Sequence, residues 1–107
     1  MHKESEFSLA EADVWPELKR VIDPELNCNI VDLGLIYGIG IEPHKVTVTM
    51  TLTTAGCPMA ESIAGGVQNV LMALPGVEEV NVDLVWDPPW RPEMMTPEGK
   101  RWLGMDS

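Results

Sequence analysis

Cys57 is the residue with the most definite chemical potential. It lies in Thr53-Thr54-Ala55-Gly56-Cys57-Pro58, where an alternating apolar run stops and a helical spacing begins. Proline is favoured in the first turn of a helix. The spacing therefore predicts a sulfur beside the unpaired N–H groups and the positive dipole end of that helix. Such surroundings lower a thiol pKa and favour the thiolate, which is the nucleophile and the metal ligand. Gly56 permits a tight turn or a close ligand approach, and Thr53 and Thr54 add hydroxyl groups. A half-buried cysteine that only fills space fits the same local pattern.

Asp23, Glu25 and Asp32 form a second group. Asp23-Pro24-Glu25 reads as a helix-ending turn and Asp32 as a loop cap. A functional role requires them to fold beside Cys57, where carboxylates could orient a thiol or assist a metal. Cys28, in Leu26-Asn27-Cys28-Asn29-Ile30, has no ligand partner in a recognised spacing and reads as a packing residue. His2 and His44 are isolated, and neither has the spacing of a zinc ligand.

The elements that must position these groups follow from hydrophobic periodicity. Ser8 and Glu11 have capping-box spacing, and Leu9, Val14, Leu18, Val21 and Ile22 roughly follow a helical repeat. Pro16 predicts a helix that begins near Asp13, and Asp23-Pro24 is expected to end it. Tyr37, Ile39 and Ile41 alternate with polar or small residues. After a turn at 42–45, Val46, Val48, Met50 and Leu52 alternate with threonines, so the two runs predict an antiparallel hairpin. A helix from Pro58 to about Leu74 places Ile63, Val67, Val70, Leu71 and Leu74 on one face and stops at Pro75-Gly76. Val80, Val82 and Leu84 form a third strand ending near Trp86.

The expected fold is a small α/β (α+β) domain. It has an αββαβ core, a mixed sheet packed by helices, and a right-handed crossover that makes the second and third strands parallel. The spacing leaves open whether the third strand pairs with the first or the second. Gly65-Gly66, inside the second helix, suggests close packing against the sheet, or else backbone approach by a ligand or second subunit. Beyond Trp86 the chain is Pro- and Trp-rich. Thr96-Pro97 caps a short closing helix that ends at Gly104. Trp86, Trp90, Trp102, Met94 and Met95 are read as a tail packed over the sheet, with an adaptable partner surface as the alternative.

Composition limits the function classes. The 107 residues are 45% hydrophobic and 22% charged, which suits one globular domain with an ordered core at about 13–104. Seventeen acidic residues against seven basic ones give a net charge of −10 and a pI of 4.4. That balance argues against nucleic acid and against an anionic membrane surface. No apolar run approaches a membrane span, and residues 1–10 are charged, so a cytoplasmic protein is expected. Two cysteines in such a chain are expected to be free thiols rather than a structural disulfide.

Four segments occur in order: Val21-Ile22-Asp23-Pro24-Glu25-Leu26, Val31-Asp32-Leu33-Gly34-Leu35-Ile36-Tyr37, Thr51-Leu52-Thr53-Thr54-Ala55-Gly56-Cys57-Pro58 and Val85-Trp86-Asp87-Pro88-Pro89-Trp90. Together they resemble the metal–sulfur (iron–sulfur) cluster biosynthesis family, which includes the SufT and PaaD proteins, over about 14–104. The resemblance implies an α/β domain that serves iron–sulfur protein maturation. It also implies that Cys57, Asp23, Glu25, Thr53 and Thr54 gather at one site, with Cys57 as the reactive member. The sequence ends at Ser107 without the cysteine-rich extension expected of a PaaD protein, which points to the stand-alone SufT-like type.

The expected function is accordingly assembly of iron–sulfur clusters or their delivery to client apoproteins, in contact with the assembly machinery. Cys57 would bind iron or a cluster transiently, with no stable cofactor. A cluster takes about four ligands, so the remaining ones would come from a homodimer partner, a client or a small thiol. A non-enzymatic carrier is expected. Two alternatives remain open at this stage: an enzyme with Cys57 as nucleophile or redox group, and a pure protein–protein adaptor acting through the tail.

Overall fold

The computed structural model describes residues 9–24, 26–53 and 60–104. The chain runs α1 (Glu11–Leu18), β1 (Ile22–Asp23), β2 (Cys28–Asn29), β3 (Ile36–Glu42), β4 (Lys45–Met50), α2 (Ala60–Met72) and β5 (Glu79–Leu84). A single 3-10 turn (Pro92–Met94) and α3 (Pro97–Trp102) complete it. The α+β architecture and the mixed sheet agree with expectation. Two short strands, β1 and β2, are additional.

The threonine-rich alternation builds the centre of the sheet. Val46, Val48 and Met50 of β4 are fully buried, while Thr47 and Thr49 lie on the opposite, partly open face. β3 pairs antiparallel with β4, Glu42 opposite Lys45, through the two-residue turn Pro43-His44. His44 takes a φ of 65°, which such a turn requires at its second position. β5 pairs with β4 and runs parallel to it, from Lys45↔Glu79 to Met50↔Leu84. The third strand of the sequence reading therefore joins the second, giving the order β3-β4-β5 with β4 central.

Parallel neighbours need a crossover, and α2 supplies it. Ile63, Val67 and Leu71, one helical turn apart, are buried against the core, and Val70 and Leu74 pack beside them. α1 adds Val14 and Leu18, both fully buried.

α1 differs from expectation at both ends. It starts at Glu11, two residues before the expected Asp13. The N–H of Ala10 donates to the Asp13 carboxylate at 3.0 Å, so Asp13 rather than Glu11 satisfies the helix start. Ser8 lies outside the described residues. Pro16 is accommodated within the helix. It removes the bond to the carbonyl of Ala12, an exposed residue whose backbone water can serve. The helix ends at Leu18 rather than at Asp23-Pro24. Arg20 N–H donates to the Glu17 carbonyl and Val21 N–H to that of Leu18, closing the last turn. This frees Ile22-Asp23 to pair with Cys28-Asn29.

The glycine pair in α2 divides in two. A Cβ on Gly66 would stand 3.3 Å from Val21 Cγ1, so this glycine permits the close approach of α2 to the segment after α1. A Cβ on Gly65 would meet nothing within 4 Å. Glycine in a helix interior costs about 1 kcal/mol relative to alanine. Gly65→Ala is therefore expected to raise the unfolding free energy by about 1 kcal/mol, read as a higher urea midpoint at unchanged slope. A lowered midpoint would show that the position is not sterically open.

Candidate functional site at the carboxyl end of the parallel strands

The carboxyl ends of β4 and β5 form one edge of the molecule. In open α/β sheets, ligands bind outside the carboxyl ends of parallel strands. A ladder of backbone bonds fastens the β1–β2 hairpin to this edge. Ile30 N–H donates to the Val21 carbonyl (3.0 Å), Leu35 N–H to Ile30 (3.1 Å) and Thr51 N–H to Leu35 (2.9 Å). On the other side of β4, Val85 N–H donates to the Met50 carbonyl at 2.9 Å. Asp23 and Thr51 are thereby carried by segments joined through Ile30 and Leu35, and Thr53 follows Thr51 in the chain.

Asp23 is 3% exposed and lies directly across the β1–β2 pair from Cys28. The turn between them depends on Asn27. Its φ is 59°, a conformation asparagine tolerates better than most residues. Its N–H donates to the Asp23 carbonyl at 2.7 Å. Glu25, Thr54 and Cys57 lie outside the described residues. Of the five site residues expected from the sequence, the structure thus locates Asp23, in the hairpin, and Thr53, just past β4.

Cys28 is packed in the hydrophobic core. Burial pushes its thiol above the ordinary value, and the negative charges of Asp32 and Asp23 add to the effect against an opposing backbone hydrogen bond from Asn29. A thiol held protonated is a poor nucleophile and metal ligand, which matches its reading as a packing residue. Among the described residues, no group of three His, Cys, Asp or Glu side chains is arranged to hold a metal ion.

Asp32 is a structural clip. One carboxylate oxygen accepts from Asn29 Nδ2 (2.8 Å) and the other from Thr96 Oγ1 (2.9 Å). Its N–H donates to Asn29 Oδ1 at 2.8 Å, and its carbonyl accepts from the Thr96 N–H at 2.9 Å. The tail is thus fastened to segment 27–37, which includes Tyr37 at the start of β3. Trp90 Nε1 donates to the Leu33 carbonyl (2.6 Å), Trp102 Nε1 to Asn27 (2.8 Å) and Tyr37 Oη to Pro88 (2.8 Å). Burial, aided by Asp87, raises the Tyr37 phenol pKa and keeps it a donor. Met95 is buried, whereas Trp86 and Trp102 stay exposed. Thr96 caps α3 as expected, accepting from the Gly99 N–H at 3.0 Å.

Thr51 escaped the sequence reading. It is fully buried, and its hydroxyl has no hydrogen-bond partner among the described residues. In the sequence it is one of a row of threonines, and nothing in the alternation separates it from Thr47 and Thr49.

A compact α+β unit with a parallel β4–α2–β5 crossover, a hairpin fastened at its carboxyl end and a tail strapped alongside defines a class of small domain. The family model described as "Iron-sulfur cluster assembly protein" matches residues 11–83, and the chain belongs to that family. It is 45% identical over 86 residues to the Fe-S protein maturation auxiliary factor SufT of Staphylococcus aureus, covering 79% of this chain and 98% of that one. It is 43% identical over 94 residues to the Fe-S protein maturation auxiliary factor YitW of Bacillus subtilis, covering 87% and 92%. The crystal structure of a domain of unknown function from Bacillus anthracis superposes with a TM-score of 0.83 at 43% identity, covering 90% of this chain and 92% of that one.

Proposed function

We propose that this protein is an accessory factor in iron–sulfur cluster assembly or in delivery of clusters to client proteins, with the Cys57 thiolate as a transient ligand for iron or for a cluster. The observation that carries the reading is the near full-length similarity to factors named for Fe-S protein maturation. The cluster is cargo here, not a resident cofactor. A bound cluster requires about four ligands, mostly thiolates. Cys28 is buried and its thiol pKa is raised by that burial, so one chain offers a single competent thiol, and the other ligands come from a client, a second copy or a small thiol. Incomplete ligation suits a carrier, because cargo held by few bonds is readily passed on.

Asp23, Glu25, Thr53 and Thr54 are proposed to surround the thiol. The exposed Trp86 and Trp102 are proposed as contacts for the assembly machinery or a client, since exposed aromatics are enriched at such surfaces. The test is recovery of an iron–sulfur dehydratase such as aconitase in a host lacking the gene. The native chain is expected to restore activity, and Cys57→Ala to restore less than a tenth of it at equal protein level. Full rescue by Cys57→Ala would overturn the thiol-based reading and leave an adaptor.

A further inference from the structure

Among the described residues, Met94 carries the one thioether that accepts a hydrogen bond: Tyr37 Oη donates to its Sδ at 3.6 Å. Met50 and Met95 are buried in the core, and Met72 is exposed. Met94 lies between these extremes, and its partial exposure admits a small oxidant to the side chain. Tyr37 has one hydroxyl proton and two acceptors. The Pro88 carbonyl, at 2.8 Å, holds the stronger bond, because a thioether is a weak acceptor. Burial, aided by Asp87, keeps the phenol protonated and so a donor.

The bond to Pro88 matters because little else holds that stretch of chain. Val85 N–H is bonded to the Met50 carbonyl, and the Trp90 indole to that of Leu33. Between them, over 86–89, the Tyr37–Pro88 bond is the one hydrogen bond among the described residues. Trp86, exposed to solvent, stands in this stretch. Met94 itself cannot retreat. Its N–H is bonded to the Arg91 carbonyl at 2.9 Å, and its own carbonyl packs on Gly34 so closely that a Cβ there would collide with it.

We propose that Met94 is a site of reversible oxidation by peroxide, and that its sulfoxide releases the 86–89 stretch by taking the Tyr37 hydroxyl from Pro88. The sulfur lone pair attacks one oxygen of hydrogen peroxide. The O–O bond breaks, an S–O bond forms, and the proton of the transferred hydroxyl passes to the leaving hydroxide, which departs as water. Sulfur loses two electrons and peroxide gains them. Two thiols, acting through a methionine sulfoxide reductase, reverse the step and leave a disulfide and water. Oxidation replaces a weak acceptor with a polar oxygen on a backbone that is fixed in place. That oxygen competes for the single Tyr37 proton, and Pro88 loses its donor. Modification and release are independent of Cys57. Only the consequence for a partner rests on the reading of Trp86 as a contact given above.

The test treats the full native chain, Met94→Leu, Met72→Leu and Tyr37→Phe with hydrogen peroxide. Mass spectrometry quantifies the Met94 sulfoxide and the rate of chymotryptic cleavage after Trp86. Oxidised native chain is expected to be cleaved about fivefold faster, the change that loss of one neutral hydrogen bond supports. Methionine sulfoxide reductase with dithiothreitol is expected to restore the slow rate, and dithiothreitol alone to leave it fast, which separates the effect from reversible cysteine oxidation. Met72→Leu is expected to behave as the native chain. Met94→Leu, a nearly volume-conserving change, is expected to be cleaved slowly before and after peroxide. Tyr37→Phe is expected to be cleaved about fivefold faster from the start and no faster after peroxide. An unoxidised Met94 in chains whose Met72 is fully oxidised would overturn the proposal. So would an unchanged cleavage rate once Met94 is oxidised, or acceleration that persists in Met94→Leu. Should Met94→Leu not fold, Tyr37→Phe and the reductase reversal on the native chain carry the comparison. Failure here is distinct from failure of the proposed function, because the cleavage assay needs neither a client nor Cys57.

Discussion

Gly34→Ala is expected to lower the unfolding free energy by about 3 kcal/mol and to loosen the segment from Trp86 to Leu103. Gly34 has a φ of 79°, which L side chains rarely adopt, and a non-glycine residue there costs about 1–2 kcal/mol. An added Cβ would also lie 2.7 Å from the Met94 carbonyl carbon and closer still to its oxygen. The obstacle is backbone, so no rotamer change relieves it. Met94 can retreat only if the tail withdraws from its anchors on either side, the Trp90–Leu33 and Thr96–Asp32 bonds. Overpacking of this kind costs about 1–3 kcal/mol. Urea denaturation reads the first effect. Chymotryptic cleavage after Trp90 reads the second and is expected to accelerate under native conditions. Gly38→Ala is the control, because its Cβ would stand 3.9 Å from the nearest atom, on Thr49. Equal midpoints for the two variants would mean that the tail does not depend on this contact.

The same contacts separate what the sequence made legible from what it hid. The β3–β4 hairpin, the α2 face and the Thr96-Pro97 cap each rest on local rules, period two, period 3.6 and capping chemistry. Each is observed. The β1–β2 hairpin was not legible because each strand is two residues long, too short for any period. Asp23-Pro24 also carries a stronger signal for stopping a helix than for starting a pair. α1 ends early for a reason that is not periodic at all: Val21 is committed to the core, and its carbonyl to the N–H of Ile30. Gly34 and Gly99 were equally silent. Their need for a missing Cβ arises from Met94 and Asp32, residues some 60 positions away, and contacts of that range leave no trace in a local pattern. At the site, residue type pointed to Cys57 and the carboxylates. The packing role of Cys28 and the loop-capping role of Asp32 were also legible, and burial and hydrogen bonding bear them out, whereas only burial picks out Thr51.

That assignment of Asp32 yields the second large effect. Asp32→Ala is expected to destabilise the protein by about 2–3 kcal/mol. The carboxylate accepts from both Asn29 and Thr96, and hydrogen bonds to a charged group contribute about 1.5–3 kcal/mol each when well formed. Partial exposure keeps the total near the lower end. Asp32→Asn retains one oxygen acceptor and is expected to lose about half as much. The functional consequence discriminates between the two readings of this carboxylate. If Asp32 is a clip, dehydratase recovery with Asp32→Asn returns to the native level at a growth temperature below its unfolding transition. If Asp32 acts on the thiol or its cargo, recovery stays low in a variant that is demonstrably folded. The geometry favours the clip. Both carboxylate oxygens are already engaged, one by Asn29 at the end of β2 and one by the cap of α3. The Asp32 backbone carbonyl lies so close to Gly99 that a Cβ there would stand 2.5 Å away. A carboxylate already engaged at both oxygens has little left to offer iron, and the tail it fastens is the element that gives Trp86 and Trp102 a fixed place on the surface.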